Sequence, residues 1–324
     1  MDTVILDAVD RGLVHALQID GRAPFRAIAD VLGVSENTVA RRYRRLRSSG
    51  VLRVVGVVNR VLLGHTSWTL RIQCIPDAAG AIAAALAARP DTSFVYLLSG
   101  GTEIACNVQT PSAADRDALL LHKLPRTSRV TAVSAHLLLR ATALPNAWAG
   151  AAWLSEEQAA RLRPAPPSPN AEPVALDDQD RTMLEILTRD GRAGYAELAA
   201  ATGASDSTAK RRLDGLRQAG VVTYTLDISP ATLGFPIEAR LWMSVQPSQL
   251  ANVAREMAAH AEVSFAAMTT GPSNLVAAVN CRNPEDLCRY LTERVAALDA
   301  VRSLETAPVI RTLKRTATSL PFPH

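Results

Sequence analysis

Apolar residues recur at helical spacing in three successive segments near the start of the chain. Residues 5–19 and 25–32 each carry an apolar position every three or four residues, which is typical of amphipathic helices. Gly33 then precedes Ser35, so a residue that tolerates a left-handed backbone stands before a good N-cap residue. A third helix is expected over residues 35–50, and the three together predict a helix-turn-helix.

The pattern changes after this third helix. Residues 51–58 are β-branched and partly alternate, which favours a strand leaving the helices. The following strands are expected at 68–75, 93–98, 103–109 and 130–139, with helices at 77–88 and 112–124. This order is βαββαβ, the ferredoxin-like arrangement of an antiparallel sheet with helices on one face.

The whole plan occurs twice. Residues 170 positions apart match, and a one-residue insertion later moves the offset to 171. The matching groups are Asp20-Gly21-Arg22 with Asp190-Gly191-Arg192, Thr38 with Thr208, Arg41-Arg42 with Arg211-Arg212, Leu63-Gly64 with Leu233-Gly234, Gly100 with Gly271, and Arg140 with Arg311. Helices are expected at 178–188, 195–202, 205–218, 248–259 and 284–298, and strands at 221–227, 237–245, 263–269, 274–281 and 301–310.

The predicted fold class is therefore α+β, with two winged or three-helix helix-turn-helix domains, each followed by a ferredoxin-like domain. The expected helix-turn-helix domains cover 1–50 and 176–220, and the ferredoxin-like domains cover 51–143 and 221–316. Residues 144–175 are rich in proline and are expected to form a semi-rigid linker with a short helical piece at 155–162.

Positive charge concentrates in the third helix of each half. Residues 35–50 hold five arginines against one glutamate, a net charge of +4, and residues 205–220 hold four basic against two acidic residues, a net charge of +2. Polar residues at the helix start suit base edges or phosphates, and the basic residues behind them suit phosphates. The candidate DNA-binding residues are Ser35, Asn37, Thr38, Arg41, Arg42, Arg44, Arg45, Arg47, Ser205, Ser207, Thr208, Lys210, Arg211, Arg212 and Arg217.

Composition adds limits to this picture. A net charge of +4 and a pI near 9.1 permit a nucleic-acid partner without requiring one. The four cysteines have neither C-x-x-C spacing nor clustered histidines, so we expect neither a metal site nor a disulfide framework. No cofactor is expected. No nucleophile-base pair or phosphate-binding glycine loop is evident, so no catalytic residue is expected. Neither a secretory signal nor a membrane span is predicted, and we expect a cytoplasmic protein.

The repeated residues resemble those of the Lrp/AsnC family of transcriptional regulators. The resemblance is carried by Leu6-Asp7 with Asp10, Asp20-Gly21-Arg22, residues 29–35, the arginine pair, Gly50-Val51 and Leu63-Gly64, each with its partner in the second half. It implies a sequence-specific regulator of double-stranded DNA whose ferredoxin-like modules self-associate and bind an amino acid or another small metabolite. The chain looks like a covalent pseudo-dimer, and the modules can pair within a chain or between chains.

The resemblance also implies where an effector binds. In the family it lies near a Gly-x-x-Asp-type turn between the middle strands. The corresponding residues are Gly100, Gly101, Thr102, Glu103, Gly271, Ser273 and Asn274. The aspartate is glutamate in one half and asparagine in the other, and the alternative is that both segments are plain hairpin turns in which glycine provides a positive φ.

The two basic helices are not identical, so we expect them to read different half-sites. Asn37 corresponds to Ser207, and Tyr43-Arg44-Arg45 corresponds to Leu213-Asp214-Gly215. The predicted operator is an imperfect palindrome, bound more tightly by the first domain. Replacing the Asp214-Gly215 pair by two arginines is expected to strengthen binding.

Two other functions are alternatives to DNA binding. The same two-part fold also resembles that of siroheme decarboxylases, in which a histidine motif lies on the second strand of the ferredoxin-like module. The matching residues here, 93–97 and 263–267, contain no histidine. An interaction protein that retains the helix-turn-helix domains only as scaffolds is the other alternative. The intact basic helices argue against it.

Overall fold

The computed structural model describes residues 5–167 and 175–316. These residues form two units, and each unit takes residues from both halves of the chain. The head unit consists of the residues up to Leu63 together with Ala151–Leu233. The sheet unit consists of Gly64–Gly150 together with the residues from Gly234 onward.

The first half of the chain follows the predicted order of helices and strands. The elements are α1 Ala8–Ile19, α2 Phe25–Leu32, α3 Glu36–Ser48, β1 Leu52–Val58, β2 Thr66–Cys74, α4 Ala79–Ala87, β3 Thr92–Leu98, β4 Glu103–Thr110, α5 Ala113–Asp117 and β5 Val130–Ala143. A π-helical turn, Ala118–Lys123, continues α5. The helix expected at 112–124 is thus confirmed, with a wider hydrogen-bond pattern in its second part.

The second half repeats this order after a short connecting helix. The elements are α6 Glu156–Ala160, α7 Asp178–Arg189, α8 Tyr195–Thr202, α9 Asp206–Gln218, β6 Val222–Ile228, β7 Ile237–Val245, α10 Leu250–Ala258, β8 Val263–Thr269, β9 Leu275–Cys281, α11 Pro284–Arg289 and β10 Val301–Lys314. A π-helical turn, Tyr290–Val295, again follows the last helix. The α+β class and the duplicated plan are confirmed.

In the head unit, the strand that leaves each helix-turn-helix pairs with its counterpart. β1 and β6 form a two-stranded antiparallel sheet in which Val55 lies opposite Thr225. The sheet joins the two sets of three helices within one chain.

In the sheet unit, the two ferredoxin-like modules share one closed sheet. Its strand order is β10-β3-β4-β2-β5-β8-β9-β7. Two antiparallel contacts connect the modules, β5 with β8 and β10 with β3. Both connecting strands run four residues beyond the predicted ends at 139 and 310, because each leaves its own sheet and pairs with the other module. The modules therefore pair within the chain.

Three apolar clusters fill the sheet unit. One lies under the helices of each module, around Ile72 and Ile104 in the first and Leu241 and Val279 in the second. The third lies inside the closed sheet, between the strands of the two modules, and is built from Tyr96, Leu98, Ala105, Trp242, Ala267, Val276 and Ala307. The face that a single ferredoxin-like sheet leaves open is covered here by the other module.

Much of the segment expected to be a linker is folded. Trp148 is buried in the sheet unit, where its ring nitrogen donates to the carbonyl oxygen of Ala261 at 2.7 Å. In the head unit, Leu154 and Leu162 flank α6 and are buried. The proline-rich residues 168–174 lie outside the described residues.

Candidate nucleic-acid interface

The two basic helices begin in the same way. Gly33 and Gly203 end the preceding helices with φ of 67° and 66°, the left-handed conformation that the sequence predicts for these glycines. The Ser35 hydroxyl then accepts a hydrogen bond from the Thr38 amide at 3.2 Å, and Ser205 accepts from Thr208 at 3.3 Å. The N-cap expected at Ser35 is confirmed, and Ser205 caps α9 in the same way, so both cap serines are engaged with their own helices.

Burial divides each basic helix into two faces. The residues that face the core are Val39, Tyr43 and Leu46 in α3 and Ala209, Leu213 and Leu216 in α9. The candidate residues that are exposed are Ser35, Asn37, Arg41, Arg44, Arg45, Arg47, Ser205, Ser207, Lys210 and Arg211. Thr38, Arg42, Thr208, Arg212 and Arg217 are partly buried. The apolar stripe predicted from the sequence is therefore present.

Each helix-turn-helix domain is called a head below: the first head is α1–α3 and the second is α7–α9. Several of the candidate arginines form ion pairs with carboxylates of their own head. Asp7 and Asp10 form a capping box at the start of α1. Arg42 donates to Asp7 at 2.5 Å, and Arg45 donates to Asp10 at the same distance. The Asp10 side chain is 1% exposed, so these arginines neutralise a buried charge.

The second head repeats this pairing of an arginine with the capping-box aspartates. Asp177 and Asp180 form the capping box of α7, and Arg212 binds both carboxylates. Backbone hydrogen bonding, followed by the arginine, lowers the pKa of Asp177 and of its counterpart Asp7. The repeated aspartate and arginine positions therefore have a structural role within each head.

A second pair of arginines connects the two heads. Arg47 of α3 binds Asp190 at 2.7 Å, and Arg217 of α9 binds Asp20 at 3.3 Å. These aspartates begin the repeated Asp-Gly-Arg segments. The C-terminal ends of both basic helices are thus fixed to the opposite head.

The arginines of the repeated segments make a reciprocal contact. Arg22 donates to the carbonyl oxygens of Gly191 and Ala193 at 2.8 and 3.0 Å. Arg192 donates to those of Gly21 and Ala23 at 2.7 and 3.1 Å. We call these four hydrogen bonds, with their two arginines, the head clasp. The sequence shows that these residues are repeated. It does not show that they contact each other, because that depends on how the two heads pair.

The glycine of each repeated segment is required by close packing. A Cβ atom on Gly21 would lie 2.8 Å from side-chain atoms of both Val54 and Tyr224. On Gly191 it would lie 2.9 Å from the backbone carbon of Val55. The segment between the first two helices of each head therefore rests directly on the β1–β6 sheet.

Only some of the predicted DNA-binding basic residues lack an ion pair with a carboxylate among the described residues. Among the described residues, no carboxylate lies within ion-pair distance of Arg41, Arg44 or Arg211. Lys210 binds Asp214 at 2.8 Å, one turn further along α9. The first head consequently presents two uncompensated arginines and the second head presents one.

The predicted effector turn of the first module is held by an ion-pair network. Gly100 and Gly101 have φ of 78° and 87°, and Thr102 precedes Glu103 at the start of β4. The buried Glu103 carboxylate accepts from Arg71 at 2.6 Å, and Arg71 also binds Glu305. Although burial lowers the pKa of Arg71, these two carboxylates hold it above its ordinary value.

The corresponding turn of the second module is closed differently. The Asn274 side chain accepts from the Val245 amide and donates to its carbonyl oxygen, both at 2.8 Å. Gly271 has φ of 99°, and a Cβ there would lie 2.2 Å from the Nδ1 atom of His136. Ser273 accepts through its carbonyl oxygen from the Thr269 hydroxyl.

Within residues 5–167 and 175–316, no three His, Cys, Asp or Glu side chains are arranged to hold a metal ion. In the same ranges, every helix is too short or too polar to cross a membrane.

Family models match three parts of the chain. The AsnC-type helix-turn-helix domain matches residues 6–47 and again 176–217. The Lrp/AsnC ligand binding domain matches residues 238–319. The helix-turn-helix matches include both basic helices described above.

Individual relatives match one half of the chain. The HTH-type transcriptional regulator FL11 of Pyrococcus abyssi is 32% identical over 150 residues, which are 46% of this chain and 98% of that protein. The regulatory protein AsnC of Escherichia coli is also 32% identical over 150 residues, covering 43% of this chain and 96% of that protein.

A solved structure resembles the duplicated chain over most of its length. The siroheme decarboxylase NirDL has a TM-score of 0.64 and 16% identity, covering 96% of this chain and 93% of that one. Such a distant likeness shows a shared fold and no more. The AsnC-type helix-turn-helix domain is present twice, and relatives of more than 30% identity are matched over nearly their whole length. The chain therefore belongs to the Lrp/AsnC family as a tandem duplication.

Proposed function

We propose that the protein is a sequence-specific transcriptional regulator that binds double-stranded DNA through both heads of one chain. The observation that carries the proposal is the head clasp, which fixes the two heads to each other in a reciprocal arrangement, together with the ion pairs that tie each basic helix to the opposite head. Two linked recognition helices suit an operator with two half-sites. One chain then does what a pair of identical subunits does in other helix-turn-helix dimers.

The ion pairs divide the candidate DNA-binding residues by role. Asn37 and Thr38 at the start of α3, with Ser207 and Thr208 in α9, are assigned to base edges. Arg41, Arg44 and Arg211 are assigned to phosphates because they are exposed and lack carboxylate partners among the described residues. The arginines with carboxylate partners mainly hold the heads in position, whereas Lys210 is neutralised by Asp214 of its own helix.

The salt dependence of binding tests this division. Each neutralised phosphate contributes about −0.9 to the slope of log K against log salt concentration. Three uncompensated arginines give a slope of about −3, whereas all nine basic candidates would give about −8. The first value is expected.

The inequality of the heads supports an imperfect palindrome. Arg41 and Arg44 stand free of carboxylates in the first head, whereas in the second the Asp214 carboxylate neutralises Lys210 and leaves Arg211. The first head is therefore proposed to bind its half-site more tightly. The sheet unit is proposed to bind a small metabolite that modulates DNA binding, and the two glycine turns stay a prediction for its site.

The test is binding of the purified chain to genomic DNA fragments, including the region upstream of its own gene, at two salt concentrations. Selective binding with one chain per operator supports the proposal, and the stoichiometry is measured by sedimentation of the complex. Absence of selective binding contradicts it. Addition of siroheme to the same preparation examines the enzyme alternative, for which a Soret absorption band is the expected sign.

A further inference from the structure

The short helix α6 lies outside the repeated plan and packs on the first head. Ser155 and Gln158 form a capping box at its start. Leu154 and Ala159, which occupy the two positions of a hydrophobic staple, are buried, and so is Leu162 beyond the helix. A helix of five residues is not stable alone in water. Its order therefore depends on the helices that it contacts.

The segment before α6 is bound to α1. The backbone amides of Trp153 and Leu154 donate to the Nδ1 atom of His15 at 3.0 and 2.9 Å. The guanidinium carbon of Arg11, one turn earlier on α1, lies 5.5 Å from the centre of the Trp153 ring. These contacts fix the beginning of α6 on the first helix of the head.

The helix α6 itself is bound to the end of α2. The Oε1 atom of Gln158 accepts from the Ser155 amide at 3.0 Å, and its Nε2 atom donates to the carbonyl oxygen of Val31 at 2.9 Å. Val31 is the second-last residue of α2, where carbonyl oxygens have no partner inside the helix. Gly33 follows and begins the turn into the basic helix α3. Gln158 therefore holds the turn from outside the helix-turn-helix.

The second head holds its turn in a different way. The Nε2 atom of Gln179 on α7 donates to the carbonyl oxygen of Thr202, the last residue of α8, at 3.2 Å. Ala201 corresponds to the buried Val31 and is exposed, and Glu185, which corresponds to the histidine on α1, is exposed as well. The second head thus uses a glutamine of its own first helix, whereas the first head uses a glutamine of α6.

The turn matters for recognition because it determines where the basic helix lies relative to the other two helices. Arg42 and Arg45 tie α3 to the aspartates at the start of α1. The contacts of α6 add a connection between α1 and the end of α2. A head whose turn is loose presents its recognition helix correctly for only part of the time, and its apparent affinity falls in proportion to that fraction.

We infer that α6 is a positioning element for DNA recognition by the first head, with Gln158 and His15 as its positioning residues. This role rests on the proposed function. It also makes the two heads differ in a second way, beyond their unequal charge. The first head depends on a segment outside the repeat to hold its turn, and the second head does not.

The first test needs no DNA and measures amide hydrogen exchange in the full chain. Gln158→Glu keeps the capping box, which glutamate also forms, and replaces the donor to Val31 by an oxygen atom. Ala160→Glu is the matched control, because it adds the same charge at an exposed position of the same helix. The Val34 amide, bonded to a carbonyl oxygen of α2 at 3.1 Å, is expected to exchange about fivefold faster in Gln158→Glu only. The equivalent amide of the second head, that of Ala204, should not change.

A variant in the other head guards against a general effect of charge or folding. Gln179→Glu removes the donor to Thr202 by the same chemical change. Exchange is expected to become faster at Ala204 and to stay the same at Val34. Equal exchange rates at Val34 in Gln158→Glu and Ala160→Glu would overturn the role of α6. A change at both amides in either glutamine variant would overturn it as well.

The second test is footprinting on the genomic fragment upstream of the chain's own gene. Protection of one half-site is expected to need about fivefold more protein in Gln158→Glu, and protection of the other half-site is expected to need about fivefold more in Gln179→Glu. Ala160→Glu should change neither. Two half-sites protected by the wild-type chain and equally by Gln158→Glu would overturn the positioning role and leave the proposed function standing. If the wild-type chain protects no site, both fail, although exchange at Val34 still shows whether α6 holds the turn.

Discussion

Arg22 and Arg192 occupy equivalent positions in the two halves of the chain, and each donates hydrogen bonds to two backbone carbonyl oxygens beside the other. Arg192 also lies over the rings of Phe25 and Tyr43, at 4.4 and 5.4 Å. Burial lowers the pKa of Arg192, so these oxygens and rings take the place of water around its charge. The contact defines the relative position of the heads.

Arg192→Ala is expected to destabilise the head unit by about 2–4 kcal/mol, because it leaves buried carbonyl oxygens without a donor. Urea unfolding followed by circular dichroism measures the loss. Arg181→Ala is the matched control, since Arg181 makes only an exposed ion pair within α7 and is expected to change stability by about 0.5 kcal/mol or less. Equal effects of the two substitutions would remove the structural role of the clasp.

Arg41→Ala is expected to lower DNA affinity, whereas the neighbouring substitution Arg42→Ala is expected to lower stability. Arg41 is exposed, so its loss should reduce DNA affinity and make the salt slope shallower by about 1, without changing the melting temperature. Arg42 holds Asp7 and Asp10, so its loss should lower the melting temperature. Fluorescence anisotropy with labelled operator DNA and thermal denaturation separate the two. A stable Arg42→Ala with lost affinity would return Arg42 to the DNA surface.

Asp214→Ala is expected to strengthen DNA binding, because it releases Lys210 from its ion pair and removes a negative charge from α9. The salt slope should become steeper by about 1 if Lys210 then neutralises a phosphate. Asp206→Ala, which removes an acid from the first turn of the same helix, controls for the change in net charge. A gain in affinity shared equally by both variants would mean that net charge alone is responsible.

Gly271→Ala is expected to destabilise the sheet unit more than Gly100→Ala. Both glycines have positive φ, so each substitution carries a backbone strain of about 1–2 kcal/mol. The added Cβ meets His136 at 2.2 Å only at Gly271, whereas nothing lies within 4 Å of it at Gly100. Thermal denaturation of the two variants isolates the contact. Equal losses would show that His136 moves aside freely.

Acidification is expected to release the segment around Trp153 and Leu154. Their backbone amides donate to Nδ1 of His15 at 3.0 and 2.9 Å, so this nitrogen must be unprotonated. Burial lowers the pKa of His15, and the charge of Arg163 lowers it further. The other charged groups nearby are Arg11, which lies over the Trp153 ring, and Glu156, which pairs with Arg163. The contact is therefore complete above pH 6.5 and is lost as the pH falls through the lowered pKa of His15, which lies below 6.5.

Hydrogen exchange at these two amides, measured from about pH 8 to about pH 5, follows the release. Protection should fall on acidification after correction for the intrinsic exchange rate. His15→Gln supplies an acceptor that does not titrate in this range, so its protection should stay constant. A wild-type profile that does not change with pH would exclude His15 as the titrating group.

The element order was predictable because the periods of apolar residues are local. Helices such as α3 follow from an apolar residue at every third or fourth position. Strands such as β7 follow from an apolar residue at every second position. The pairing of β5 with β8 and of β10 with β3 was not predictable in this way. Either partner arrangement, within a chain or between chains, uses the same strand edges and the same sequence.

The functional residues were predicted by position but not by role. The sequence places Arg42, Arg47 and Arg217 on basic helices, and a basic helix indicates DNA binding. Their partners, Asp10, Asp190 and Asp20, are 32, 143 and 197 residues away, so the ion pairs depend on tertiary structure.

The closed ring of strands has a consequence during synthesis. β3 emerges from the ribosome long before β10, its partner across the module boundary, and β5 emerges long before β8. Until those strands are made, the first module presents two edges whose amide and carbonyl groups are open to pairing with other nascent chains. Translation speed and chaperone protection over the second half are therefore expected to govern the yield of native protein.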